Sequence, residues 1–86
     1  MADQSQKKRI AIFGSTGSIG TQALEVIRAN TNLFEVEILT AQTNDELLIT
    51  QALEFSPNAV VIGDESRYEK LKEALSSTDI KVFAGE

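Results

Sequence analysis

Residues 9–20 read RIAIFGSTGSIG, an apolar run that ends in a glycine-rich segment. A short, continuous apolar run closed by glycine is typical of a strand buried on both faces of a parallel sheet, so residues 9–13 are predicted to form a strand. Residues 18–29 carry apolar side chains at helical spacing and are predicted to form a helix. The glycine-rich segment therefore lies in the turn between a strand and a helix.

The same alternation continues along the chain. Further strands are predicted at residues 35–40, 59–62 and 80–84, where β-branched and apolar residues cluster. A helix capped by Asn44 is predicted between the second and third strands, ending before Pro57. Another helix, capped by Asp64, is predicted between the third and fourth strands and is broken by residues 76–79.

Three apolar helix faces are expected to cover the sheet. Their members are Ile19, Ala23, Val26 and Ile27 in the first helix, Leu48, Ala52 and Phe55 in the second, and Tyr68, Leu71, Ala74 and Leu75 in the third.

The element order β-α-β-α-β-α-β predicts an α/β fold, a partial Rossmann-like parallel sheet with right-handed crossovers. Two strand orders fit this alternation, 4-3-2-1 and 3-2-1-4. In the order 4-3-2-1 all helices lie on one face of the sheet, because every crossover moves in the same direction. The other face is then an apolar surface. We expect self-association through that face or through the free edge of the first strand.

Each glycine of the turn has a predicted role. Gly14 makes the tight turn out of the strand, and Gly17 lets the backbone come close to a pyrophosphate. Gly20 lets the helix pack closely on the sheet. The amides of Ser18 and Ile19 would point at the anion, because a helix N-terminus has unpaired N–H groups and a partial positive charge.

Hydroxyl groups from Ser15, Thr16 and Ser18 could add donors to this site. The spacing G-x-x-G-x-x-G after a strand and before a helix therefore predicts a dinucleotide. A P-loop is excluded, because Thr21 and Gln22 follow the last glycine where Lys-Ser or Lys-Thr would be needed.

The segment after the second strand, residues 40–44, lacks the carboxylate that grips the ribose hydroxyls in NAD-specific sites. Without that carboxylate a 2′-phosphate meets no repulsion, and hydroxyl and amide groups can donate to it. The segment therefore favours NADPH, although it contains no lysine or arginine. Asn44 is also expected to cap the following helix.

Two other patterns are interpreted as structural. Tyr68 and Lys72 have the Tyr-x-x-x-Lys spacing of a short-chain dehydrogenase pair, but that pair belongs on a helix much farther from the cofactor loop. Asp64 ends a strand as in phospho-accepting receiver domains, yet the acidic pair those domains need after the first strand is here Phe13-Gly14.

Composition excludes several other classes of function. The formal net charge of −5 argues against nucleic acid and anionic membranes as partners. The absence of cysteine and histidine removes thiolate nucleophiles, imidazole bases and the usual zinc ligands. Residues 1–6 are expected to be a disordered lead and not a signal peptide, so a cytoplasmic location follows by default.

The run from Lys8 to Gly20 resembles the N-terminus of the 1-deoxy-D-xylulose 5-phosphate reductoisomerase family. The likeness continues through residues 24–28, 33–36, 51–57 and 59–62, so that it spans about residues 7–86. It implies that residues 7–86 are the N-terminal part of an NADPH-binding Rossmann domain. It also makes 4-3-2-1 the preferred strand order and 3-2-1-4 the alternative, because the family's remaining strands continue from the other side of the first strand. The family isomerises and reduces 1-deoxy-D-xylulose 5-phosphate to 2-C-methyl-D-erythritol 4-phosphate in isoprenoid precursor synthesis, using NADPH and a divalent metal (Mg, Mn or Co).

The resemblance also implies roles for particular residues. It assigns the pyrophosphate to Thr16, Gly17, Ser18 and Ile19, and the 2′-phosphate to Gln42, Thr43 and Asn44. The family often has glycine-lysine-asparagine in the second segment, and this chain keeps only the asparagine. Catalytic residues, the metal ligands and the site for the phosphorylated sugar are expected outside this stretch of sequence.

Two alternatives remain from the sequence. One is the cofactor domain of another NADP-dependent dehydrogenase, such as an extended short-chain dehydrogenase or an aspartate-semialdehyde dehydrogenase relative. The other is a stand-alone nucleotide-binding module without chemistry of its own.

Overall fold

A computed structural model describes residues 7–85, so the expected lead at residues 1–6 lies outside the described part. The strands are β1 (Lys8–Ile12), β2 (Phe34–Ala41), β3 (Ala59–Ile62) and β4 (Lys81–Ala84). The helices are α1 (Ser18–Ala29), α2 (Asp45–Phe55) and α3 (Tyr68–Ala74), with a 3-10 helix at Glu65–Arg67. Each predicted element is present, and α1 and β3 have the predicted bounds. Every helix in the described part is too short or too polar to cross a membrane.

The strands form one parallel sheet in the order β1-β2-β3-β4. Counted from its other edge this is the preferred order 4-3-2-1, and the alternative 3-2-1-4 is wrong. Right-handed crossovers in a constant direction place the helices on one face of the sheet. Burial agrees, because Val60 and Ile62 of β3 are fully buried while Ala59 and Val61, which point to the other face, are partly exposed.

A β-bulge explains why burial does not alternate regularly along β2. Ile10 pairs with Val36 and the next residue, Ala11, pairs with Ile38, so Glu37 is an extra residue in β2. Because of this extra residue, side chains three positions apart in β2 point to the same face of the sheet. Val36 and Leu39 are therefore both buried against the helices.

The core lies between this face and the helices. Its members on the helix side of the sheet are Leu24, Ile27, Leu48, Ala52, Leu71 and Leu75. The predicted face of α2 is confirmed, whereas the predicted face of α1 is wrong in part, because Ile19 is 82% exposed and Val26 is 57% exposed. Residues Gly20, Leu24 and Ile27 form the buried stripe instead. Leu71 of α3 and Leu75, which directly follows the helix, are buried as predicted, but Ala74 is exposed.

The helix caps predicted from the sequence are present, with one correction. The Asn44 side chain accepts a hydrogen bond from the Leu47 amide at 3.2 Å, which confirms it as the cap of α2. Asp64 accepts from the Ser66 amide at 3.0 Å and caps the 3-10 helix, not α3 itself. This 3-10 turn directly precedes α3, which begins at Tyr68.

A buried carboxylate joins α2 to the connection before α3. The Asp45 side chain is 4% exposed, and its Oδ1 accepts from Arg67 Nη1 at 3.0 Å. Lys70 Nζ lies 3.2 Å from Oδ2. Burial raises the pKa of Asp45, but Lys70 and then Arg67 outweigh that effect and hold the pKa below its ordinary value. The Arg67 guanidinium also binds Asp64, so these charges form one cluster.

We predict that the Asp45 cluster makes stability depend on acid. A depressed carboxyl pKa contributes stability above the ordinary value of 3.8, and this contribution is lost as pH falls through the lower folded-state pKa. Asp45→Asn should therefore lower the free energy of unfolding at neutral pH by about 1–2 kcal/mol, with a smaller difference in acid. Urea unfolding of both forms across this pH range is the measurement. Glu46→Gln, with an 82% exposed side chain, is the control and should change little. A constant difference at every pH would contradict the prediction.

Candidate nucleotide-binding site

The glycine-rich loop is attached to the carboxyl end of β2. Gly14 has φ +71°, a left-handed conformation that favours glycine, so its role in the tight turn is supported. Its amide donates to Thr40 Oγ1 at 2.9 Å. The next amide, of Ser15, donates to the Thr40 carbonyl at 2.8 Å. Thr40 therefore fixes where the loop leaves the sheet.

The N-terminus of α1 has free donors. The first hydrogen bond of the helix runs from Thr21 N to the Gly17 carbonyl at 2.9 Å, so the amides of residues 18–20 precede it. Gly17 is the N-cap and has no side-chain capping bond, and the first turn of α1 contains no acidic residue. An exposed, uncapped N-terminus without nearby carboxylates attracts an anion.

The two later glycines of the loop differ in what surrounds them. A Cβ at Gly17 would meet only the Gly14 carbonyl oxygen at 3.5 Å, which is an ordinary contact. A Cβ at Gly20 would come within 2.2 Å of the Gly14 oxygen. Gly20 thus lets α1 approach the loop backbone, and the expectation that it serves packing on the sheet is corrected. Among residues 7–85, nothing requires glycine at position 17, so the space there is open to a ligand.

Ser15 does not face this space. Its side chain is fully buried, and its Oγ donates to Gln51 Oε1 of α2 at 2.7 Å. The expected contribution of the Ser15 hydroxyl to the anion site is therefore wrong. Thr16 is half-buried, and Gly17, Ser18 and Ile19 are exposed on the outer side of the loop.

The segment Gln42, Thr43 and Asn44 follows β2 and so lies at the same carboxyl edge of the sheet as the loop. All of its side chains are exposed. The Gln42 carbonyl accepts from the Asp64 amide at 2.9 Å, and a Cβ at Gly63 would come within 2.6 Å of the Gln42 side chain. Gly63 therefore gives the Gln42 side chain its place beside the end of β3.

A cleft of about 380 Å³ opens at this edge between the ends of β1, β2 and β3. Phe13, Gly14, Thr40 and Gln42 are among its lining residues. A second groove, of about 610 Å³, runs from the loop along the free edge of β1. Both spaces are in the size range of small-molecule sites, and together they flank the loop on two sides.

The Tyr-x-x-x-Lys pair noted in the sequence lies away from the glycine-rich loop. Tyr68 and Lys72 line a cavity between α3 and β4, and Lys72 Nζ lies over the Tyr68 ring, 5.6 Å from the ring centroid. These two residues do not line either space at the loop. Within residues 7–85, no group of three or more acidic side chains is placed to hold a metal ion.

Sequence reasoning missed two groups that shape the site. Gln51 was not singled out, although a polar residue inside the apolar stripe of α2, between Leu48 and Ala52, was a signal. Arg67 and Lys70 bring cations next to residue 45, and no local pattern could show that, since the contact depends on the packing of α3 against α2.

The sequence model of the 1-deoxy-D-xylulose 5-phosphate reductoisomerase family matches residues 10–86. The chain belongs to this family. The alternative of a dehydrogenase from another family is therefore wrong. A 1-deoxy-D-xylulose 5-phosphate reductoisomerase of Bacteroides fragilis is 57% identical over 83 residues, covering 96% of this chain and 21% of that protein. The chain thus spans about a fifth of the length of the curated reductoisomerases it matches.

Solved structures of the family are also similar. The reductoisomerase of Zymomonas mobilis in complex with NADPH has a TM-score of 0.89 and 36% identity, covering 93% of this chain and 21% of that one. A reductoisomerase in complex with NADPH, fosmidomycin and magnesium has a TM-score of 0.86 and 28% identity, over 92% of this chain and 20% of that one. The fold of residues 7–85 is therefore the fold of the corresponding part of these reductoisomerases.

We predict effects of very different size when a methyl group is added at the two glycines. Gly20→Ala should destabilise the chain by more than about 2 kcal/mol, because backbone atoms of the loop would have to move. Gly17→Ala should change the free energy of unfolding by less than about 0.5 kcal/mol, because its contact is ordinary. Denaturant unfolding of the two variants is the measurement. Equal losses at both positions would contradict the assignment.

Proposed function

We propose that residues 7–86 are the N-terminal part of the NADPH-binding domain of a 1-deoxy-D-xylulose 5-phosphate reductoisomerase. Family membership supports this proposal. The observation that carries it is the uncapped, exposed N-terminus of α1, held beside an open position at Gly17. A pyrophosphate there would replace the solvent that now meets the free amides.

The residues fit this cofactor at its pyrophosphate. The amides of Ser18 and Ile19 donate to the phosphate oxygens, the hydroxyls of Thr16 and Ser18 add donors, and Gly17 allows close approach. These groups lie on the outer side of the loop, whereas the Ser15 hydroxyl is turned inward.

The 2′-phosphate is assigned to Gln42, Thr43 and Asn44. These residues offer hydroxyl and amide donors and carry no carboxylate that would repel the phosphate. The Asn44 side chain also caps α2, and this bond uses its Oδ1, so its amide nitrogen stays available as a donor to the phosphate.

Bound NADPH supplies a hydride to the reaction. The complete enzyme is proposed to isomerise and reduce 1-deoxy-D-xylulose 5-phosphate to 2-C-methyl-D-erythritol 4-phosphate, a step of isoprenoid precursor synthesis, with a divalent metal (Mg, Mn or Co). The described residues contain no acidic group of three or more for that metal, so we assign the metal, the sugar phosphate and catalysis to other residues of the enzyme. We propose a cytoplasmic protein without nucleic-acid or membrane partners, as its net charge of −5 favours.

We expect Gly17→Val to abolish NADPH binding while most of the fold remains. The larger side chain would occupy the position of the pyrophosphate, but its Cβ makes only an ordinary contact with the protein. Calorimetric titration of NADPH into both forms is the measurement, and circular dichroism checks the fold. The natural chain should bind weakly, with a dissociation constant of about 1 mM, because these residues provide only part of a dinucleotide cleft. Equal affinities of the two forms would contradict the proposed role of the loop.

We also propose that the 86-residue chain by itself associates with a second copy through the bare face of the sheet. Neighbouring strands place Ala11 beside Ile38 and Val61 beside Phe83 on that face. Phe13, which follows β1, is 75% exposed, and Phe83 is 52% exposed. Within residues 7–85, β1 and β4 each pair with a single neighbour, so the sheet also has two free edges.

Light scattering across a concentration series tests this proposal. The average mass should rise with concentration for the natural chain and rise less for Phe83→Thr, because that change removes apolar area from the bare face. Leu53→Gln is the matched control, since Leu53 is 55% exposed on a helix that covers the other face. A constant monomer mass for the natural chain would contradict the proposal.

A further inference from the structure

A buried pair of polar residues connects the glycine-rich loop to α2. Ser15 Oγ donates to Gln51 Oε1 at 2.7 Å, and Gln51 Nε2 donates to the Ser15 carbonyl at 2.9 Å. Ser15 is fully buried and Gln51 is 5% exposed. Groups buried this deeply cannot exchange a lost partner for water without a large cost in free energy. Each polar atom of the pair therefore depends on the other residue for its hydrogen bond.

The pair needs a side chain at position 51 that both donates and accepts a hydrogen bond. A carbonyl oxygen can only accept, so the Gln51 atom that faces the Ser15 carbonyl must be the NH₂ group. The hydroxyl of Ser15 then meets the amide oxygen and donates to it. Only a side chain with a donor and an acceptor side by side satisfies both groups of Ser15 at once.

We propose that Gln51 is a positioning residue for cofactor binding, acting through Ser15 without touching the cofactor. It holds the loop from within the core while Thr40 holds it from the end of β2. With both tethers in place, the amides of Ser18 and Ile19 keep their direction before the pyrophosphate arrives. This inference rests on the proposed use of the loop for a dinucleotide.

Through helix α2, Gln51 also fixes where the loop lies relative to the 2′-phosphate segment, residues 42–44. The helix begins at Asp45, directly after the 2′-phosphate segment, and Gln51 lies less than two turns farther along. A rigid helix therefore fixes the separation between residues 42–44 and the loop. Both phosphate groups of one dinucleotide then meet their donors without a rearrangement, and binding loses less conformational entropy.

The test measures NADP⁺ binding by calorimetry, because the oxidised cofactor carries the same phosphates and tolerates acid. Gln51→Met, similar in size but without a donor or acceptor, should bind about tenfold more weakly than the natural chain. Gln22→Met, the same change at an exposed position of α1, should bind like the natural chain. Hydrogen exchange of the Gly17 amide, which donates to the Gly14 carbonyl at 3.0 Å, should be faster in Gln51→Met even without cofactor.

Gln51→Glu separates positioning from a general loss of stability. A buried carboxylate there would face the Ser15 carbonyl without a donor, whereas a protonated carboxyl would restore one. Binding by Gln51→Glu, relative to the natural chain at each pH, should be weak at neutral pH and recover in acid. This variant also decides the question if Gln51→Met does not fold.

Two results would count against different claims. Equal NADP⁺ affinities of the natural chain and Gln51→Met, or a Gln51→Glu affinity ratio independent of pH, would overturn the positioning role. Failure of the natural chain to bind NADP⁺ at concentrations well above the expected dissociation constant would overturn the proposed use of the glycine-rich loop for a dinucleotide, and the positioning role with it.

Discussion

The close contact between α1 and the glycine-rich loop at Gly20 is the constraint on which the rest of the structure depends. The helix backbone lies so near the Gly14 carbonyl that no side chain fits between them. This contact fixes the rotation of α1 about its axis, which buries Leu24 and Ile27 and leaves Ile19 at the surface. The direction of the free amides at the start of α1 follows from the same rotation. One missing Cβ thus sets both the packing of the helix and the geometry of the candidate anion site.

Much of the fold could be predicted from the sequence because its signals are local. The bounds of β3, the cap at Asn44 and the turn at Gly14 each follow from a few neighbouring residues. The strand order also followed, from the resemblance to a family and the regular alternation of elements. The exposed face of α1 could not be predicted, because Ile19 and Val26 are as apolar as the residues that are buried. Which stripe faces inward is decided by Gly20, through a contact with a different element.

The candidate site shows the same division. The loop and the segment after β2 were recognised by their positions at the ends of neighbouring strands. The roles of individual side chains were harder to predict, since the Ser15 hydroxyl points into the core and binds Gln51, a residue 36 positions away. The charged cluster of Asp45, Arg67 and Lys70 depends likewise on tertiary packing. Pairings between side chains distant in sequence leave no periodic pattern for a sequence analysis to detect.

The order β1-β2-β3-β4 has a consequence for how the chain acquires its structure. Each strand pairs with the strand that precedes it in the sequence, so no strand has to wait for a partner from a distant region. Such a sheet has a low contact order for a parallel fold and can grow by adding one strand-and-helix unit at a time. During synthesis β1 leaves the ribosome before β2, β3 and β4, and each of these later strands then meets an existing edge. The glycine-rich loop between β1 and α1 receives its hydrogen bonds from Thr40 as soon as β2 pairs, before β3 and β4 have formed.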